Sequence, residues 1–298
     1  NLAVFDMAEE ADGSLWFATG GGAAHYDGLN FSVLRREDGL SSNKIKSILA
    51  DSRGHLFFGA GEWNRNYGGG LTQWDGEAYR IYTSSDMLPN DFVANLFEDS
   101  RGRIWIGTEQ GLVCRDGEQF RTFTTADGLP HATMSLRGMA EDKNGDIWFG
   151  TGLGHATGGG VCRYDGQKFH TLSVQDGLAG NSICAVLEDR RGDMWFATYH
   201  NGVSRYDGRV FHNLAVEDGL AQDALWSIGE DAEGAMWFGH WGEGVTRYDG
   251  HSCEVFKTED GLPGDEILAF HVDCEESLWF ASADGGVGRY EGERIVAF

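Results

Sequence analysis

Three observations predict an all-β chain folded as a seven-bladed β-propeller of four-stranded antiparallel blades. An aromatic strand core recurs seven times, at 15–19 (LWFAT), 56–60 (LFFGA), 104–108 (IWIGT), 147–151 (IWFGT), 194–198 (MWFAT), 236–240 (MWFGH) and 278–282 (LWFAS). Its lead aromatic positions lie 41, 48, 43, 47, 42 and 42 residues apart, a period that marks repeated β units. An acidic turn precedes each core and an acidic residue plus Gly follows it, and Asp-Gly between apolar runs is the strongest local hairpin signal.

Each repeat reads as four short strands. The first is an apolar run ending in an acidic turn, as in Ile45 to Gly54, where the Asp side chain can bond nearby amides and Gly takes the positive φ. The turn recurs at 99–102, 142–145, 189–192 and 231–234; the first repeat uses Glu10 and Gly13, and the last, from Asp273 to Ser277, lacks the glycine. The second strand carries the aromatic core. A glycine break leads to the third, which ends in Tyr26-Asp27-Gly28, Trp74-Asp75-Gly76, Arg115-Asp116-Gly117, Tyr164-Asp165-Gly166, Tyr206-Asp207-Gly208, Tyr248-Asp249-Gly250 or Tyr290-Glu291-Gly292. A fourth strand follows, such as Phe211-His212-Asn213-Leu214, and then an Asp-Gly-Leu-type linker.

One such unit cannot bury both faces, whereas radial stacking does so and leaves short edges. The expected single domain covers 1–298, with blades at about 1–36, 41–84, 89–125, 131–174, 180–216, 222–258 and 264–298. The register runs from a first strand to a fourth, so the ring is expected to close without a blade shared between the termini.

Composition fits: 45 glycines and 12% aromatics suit short strands joined by tight turns. Acidic residues number 47 against 23 basic, a net charge of -24. That field repels nucleic acid and anionic membrane surfaces, and solubility is its simplest use. No apolar run is long enough for a membrane span, so this segment is not expected to insert. No signal peptide is seen, and the opening at Asn1 inside a repeat reads as a mature or excised segment. Five cysteines, Cys114, Cys162, Cys184, Cys253 and Cys274, include no CxxC and read as small core residues.

The composite well shown from Asn181-Ser182-Ile183 through Leu220, with its ED-x-x-G, WFAT, GGV-like and RYDG segments and closing DGL, resembles the two-component-regulator propeller repeat. That resemblance implies a sensor-type propeller, extracytoplasmic (periplasmic or secreted), belonging with other domains of a larger signalling chain and recognising ligands such as glycans. It brings no catalytic motif. A looser similarity to streptogramin lyases implies an alternative, a propeller enzyme using a histidine and a metal ion.

Candidate site residues fall where one face departs from the repeat. Glu62-Trp63-Asn64-Arg65-Asn66-Tyr67 extends blade two and Leu153-Gly154-His155-Ala156-Thr157 extends blade four, while blades five and six replace small residues by Tyr199-His200-Asn201 and His240-Trp241-Gly242-Glu243. A second column, five residues before each acidic turn, varies from charged to aromatic: Phe5, Lys46, Ala94, Arg137, Cys184, Trp226 and Leu268. The expected pocket is bordered by Trp63, Arg65, His155, Tyr199, His200, His240, Trp241 and Glu243, with Lys46, Arg137 and Trp226 at its floor. Aromatic rings there offer platforms for a sugar, peptide or protein ligand, and polar neighbours give direction. They serve equally well as caps on the blade ends. The favoured reading needs no cofactor and no catalysis. In the alternative, His200 or His240 acts with Glu243 or His155 and a metal, which requires convergent ligands.

Overall fold

The computed structural model describes residues 3–62, 65–152, 159–292 and 294–298, with backbone alone for 65–68, 136 and 137. Blade five shows the plan: strands Ile183–Glu188, Met194–Thr198, Val203–Tyr206 and Phe211–Leu214 pair antiparallel in that order. All seven blades repeat this meander, and the fold is a seven-bladed β-propeller. Strands Val4–Glu9 and Ile295–Ala297 each stay within their own four-stranded sheet, so no blade is shared between the ends of the sequence. Blades four and five join through one parallel backbone pair, Arg137 with Ala185.

The chain divides into two compact units, residues 3–134 with the first three blades and residues 135–298 with the last four. Within each unit the W-F dipeptide explains how blades stack. Successive strand residues point to opposite faces, so Trp serves one neighbouring blade and Phe the other. Ring centroids of Trp16 and Phe58 lie 5.5 Å apart in the first unit. In the second, Trp148 meets Phe196 at 5.8 Å, Trp195 meets Phe238 at 5.7 Å and Trp237 meets Phe280 at 5.5 Å. The six strand-core tryptophans are all buried, at most 7% exposed.

The acidic turns do more than reverse the chain. Each indole N–H donates to the carboxylate six residues earlier: Trp105 to Asp99, Trp148 to Asp142, Trp195 to Asp189, Trp237 to Asp231 and Trp279 to Asp273, at 2.6–2.8 Å. Trp16 bonds Glu10 likewise. Blade two has Phe57 at this position and no indole donor; there Nδ1 of His55 lies 2.9 Å from the second oxygen of Asp51. Across the hairpin, guanidinium groups cover the indoles: Arg163, Arg205, Arg247 and Arg289 sit 5.6–5.8 Å from the Trp148, Trp195, Trp237 and Trp279 rings.

The linkers form short 3-10 turns. In Val174–Asp176, Asp176 accepts from the Ser173 amide, Gly177 turns the chain at φ 105°, and Leu178 enters the core at 3% exposure. Cys114, Cys162 and Cys184 are buried, as expected of core cysteines, and burial pushes the Cys162 thiol up to about 12. Cys274 departs from that expectation: it is exposed in the last acidic turn. No helix among the described residues is long and apolar enough to cross a membrane.

Candidate functional site

The variable column of the inner strands has a backbone cause. In six blades the ladder between first and second strands skips one residue, and the skipped residues are Phe5, Lys46, Ala94, Cys184, Trp226 and Leu268. In blade six, Leu225 pairs with His240 and Ser227 with Gly239, leaving Trp226 as the extra residue of a β-bulge. A bulge residue stands outside the in-and-out alternation, so sheet packing does not prescribe its type, and bulges re-aim side chains beside functional sites. In the first unit, Lys46 Nζ lies 3.4 Å from the Phe5 ring centroid, joining two neighbouring bulges.

The second unit carries the densest departure from the repeat. Tyr199 and Trp241 occupy equivalent positions, each directly after a second strand (Met194–Thr198 and Met236–His240). The Tyr199 amide donates to the Ser182 carbonyl and the Trp241 amide to that of Ala224, two residues before each bulge. This register holds both rings against the bulged indole of Trp226. Centroids lie 5.6 Å apart for Tyr199–Trp226, 5.3 Å for Tyr199–Trp241 and 5.2 Å for Trp226–Trp241, all mutually inclined. Trp241 is 44% exposed. The buried Nε1 of Trp226 has no hydrogen-bond partner among the described residues. His200 is exposed, its ring 4.1 Å from that of Tyr199. Burial raises the Tyr199 phenol, with Cys184 and Glu266 adding to the shift. At the equivalent place blade seven has Ala283, whose amide bonds the Glu266 carbonyl.

The other expected residues are placed as follows. Glu243 pairs with Lys257 at 2.6 Å, which holds its carboxyl below the usual range. His240 is the last residue of its strand, fully buried, with Nε2 2.7 Å from Thr246 Oγ1. It stands where Thr108 and Thr198 donate to the carbonyls of Gly111 and Gly202 at or just before the start of the third strand, and burial lowers its imidazole to about 4. Trp63 and His155 lie outside the described residues; Arg65 and Arg137 are described in backbone only. The blade-two extension is built as paired strand, Leu56–Glu62 against Arg65–Trp74, with Glu62 opposite Arg65. No group of three or more His, Cys, Asp or Glu among the described residues could hold a metal ion.

What this arrangement can do is present apolar ring faces to a partner. A sugar ring or an apolar side chain gains burial on such a platform.

Three stretches, residues 87–110, 128–152 and 177–200, match the two component regulator propeller family. No curated protein matches the chain. Among solved structures it is similar to the extracellular domain of the putative hybrid two component system BT3049 from B. thetaiotaomicron, with 22% identity and a TM-score of 0.83 over 98% of this chain and 39% of that one. It is similar to PorZ, a surface component of the type-IX secretion system of Porphyromonas gingivalis, with 17% identity and a TM-score of 0.73 over 98% and 46% of the two chains. It is also similar to a catalytically inactive virginiamycin B lyase from Staphylococcus aureus with quinupristin, with 14% identity and a TM-score of 0.74 over 99% and 95%. The chain spans about two fifths of the length of that B. thetaiotaomicron extracellular domain. These likenesses show the fold.

Proposed function

The chain carries two-component regulator propeller repeats, and from that premise we propose that it is a non-enzymatic, ligand-binding sensor propeller that recognises its ligand on the Tyr199–Trp226–Trp241 platform. The single observation behind this reading is that three aromatic rings meet within 5.2–5.6 Å where blade seven carries only Ala283. A large aromatic left 44% exposed gains nothing for the fold from its outer face, and exposed apolar rings beside buried ones mark recognition sites. The ligand is a carbohydrate, with a peptide or protein segment as the competing class. Ring stacking favours the sugar, since its C–H face matches an indole and its hydroxyls match the exposed His200 imidazole beside it. By the same proposal the chain works outside the cytoplasm, beside other domains of a larger signalling chain, in keeping with the extracellular propeller domains it resembles.

A glycan-array and peptide-array screen of the isolated chain tests the reading. Binding to a defined glycan, lost in Trp241→Ala, is expected; hits that persist equally in that variant contradict it.

A further inference from the structure

Blades two and three break the repeat at three places in or beside one pocket. Blade two has Phe57 in place of Trp and His55 beside its acidic turn; blade three ends its third strand, Gly111–Asp116, with Arg115 where five blades have Tyr. The tyrosines complete their own turns: Tyr26, Tyr164 and Tyr248 donate to the carbonyls of Gly28, Gly166 and Gly250 at 2.8–3.0 Å. Arg115 makes no such contact. Its guanidinium lies 5.5–5.8 Å from the Phe57, Tyr82 and Phe120 rings, and the residue is only 7% exposed.

A guanidinium carries five donors and stays charged. Burying it is costly unless those donors are used. Arg115 reaches one carboxylate, Glu118, at 3.5 Å, and its buried Nε has no partner among the described residues. The group lines a cavity of about 200 Å³ together with Arg53, Arg80 and His55. The acids of this cavity are largely spent. Asp51 bonds His55 and its own turn, and Asp75 takes the amides of Glu77 and Ala78. Glu118, 74% exposed at its side chain, spans Arg80 at 3.0 Å and Arg115 at 3.5 Å.

From the unpartnered, buried Arg115 Nε and the cavity it lines, we infer a second binding site, specific for a carboxylate, at the hairpin ends of blades two and three. Glu118 holds the position that a ligand carboxylate takes, as an exposed and loosely bound internal occupant. A carboxylate is favoured over a dianion because its two oxygens match the fork of one guanidinium and because the chain carries a net charge of -24.

Isothermal titration of the whole chain at fixed ionic strength, with sodium glucuronate, N-acetylglutamate and sodium sulfate as separate probes, tests this. At least one carboxylate should bind, and Glu118→Gln should bind it several-fold tighter because the internal competitor is gone. Arg115→Met, which keeps an apolar stem among the three rings, should weaken binding at least tenfold. If that variant does not fold, Arg53→Gln, on the exposed rim, should weaken binding in the same direction. The preferred carboxylate tells a sugar acid from an acidic side chain. No carboxylate binding by either the parent or Glu118→Gln, undiminished binding by folded Arg115→Met, or tighter binding of sulfate would overturn the assignment. Trp241→Ala should leave this binding unchanged, which separates it from the aromatic platform.

Discussion

The indole N–H of Trp195 donates to Oδ2 of Asp189 at 2.8 Å, tying the hydrophobic face of a blade to the turn that precedes it. The other oxygen of Asp189 accepts the amides of Arg191 and Asp193, so one side chain organises turn and strand together. Trp195→Phe leaves a buried carboxylate oxygen without its donor and should destabilise by about 1–3 kcal/mol. Blade two shows the remedy, with His55 four residues after Asp51. Adding Asp193→His to Trp195→Phe should therefore recover part of the loss, read as the midpoint in urea denaturation. A double variant no more stable than the single one counts against this role for the turn.

Truncating an inter-blade indole should be more severe. Trp148 is 3% exposed, packs on Phe196 and Tyr206, and bonds Asp142. Trp148→Ala should destabilise by roughly 3–5 kcal/mol through lost transfer energy and the cavity left behind. A loss below about 0.5 kcal/mol, within the range of ordinary surface substitutions, would show that the indole does not carry the packing assigned to it.

His240 gives the fold a pH dependence of known sign. Burial lowers its folded value from the ordinary 6.5 to about 4. Between those values the unfolded chain binds a proton that the folded chain refuses, so this contribution is complete above pH 6.5 and is lost as pH falls towards 4. The loss is at most about 3 kcal/mol. His240→Thr, copying Thr198, should flatten the stability profile across that window, as measured by urea denaturation at about pH 4.5 and about pH 7. An unchanged slope would contradict the assignment.

Much of the fold is legible in the sequence because the W-F pair, the acidic turn and the Asp-Gly turn each act over a few residues and recur. The Asp–Trp bonds are not, since a six-residue separation brings donor and acceptor together only after the hairpin forms. The variable inner column is visible as chemistry, but its cause is a backbone bulge that no side-chain pattern announces. Tyr199, Trp226 and Trp241 stand out separately in the sequence; their meeting depends on matching registers in blades five and six. His240 reads both as the end of the MWFGH strand core and as the start of an irregular segment, and strand pairing settles it in the core. Arg115 reads as a variant of Tyr in a turn motif, because its burial depends on Phe57 and Tyr82 from the preceding blade.

The platform is tested most directly by the affinity of an array-selected glycan for the parent chain and for Trp241→Ala, with melting temperature measured alongside. Binding should weaken by about 1–3 kcal/mol, the worth of burying a large apolar side chain, while the variant still melts cooperatively, at a temperature lowered only by the lost contacts with Tyr199 and Trp226. Equal affinity in the two proteins would contradict a ligand seated on these rings.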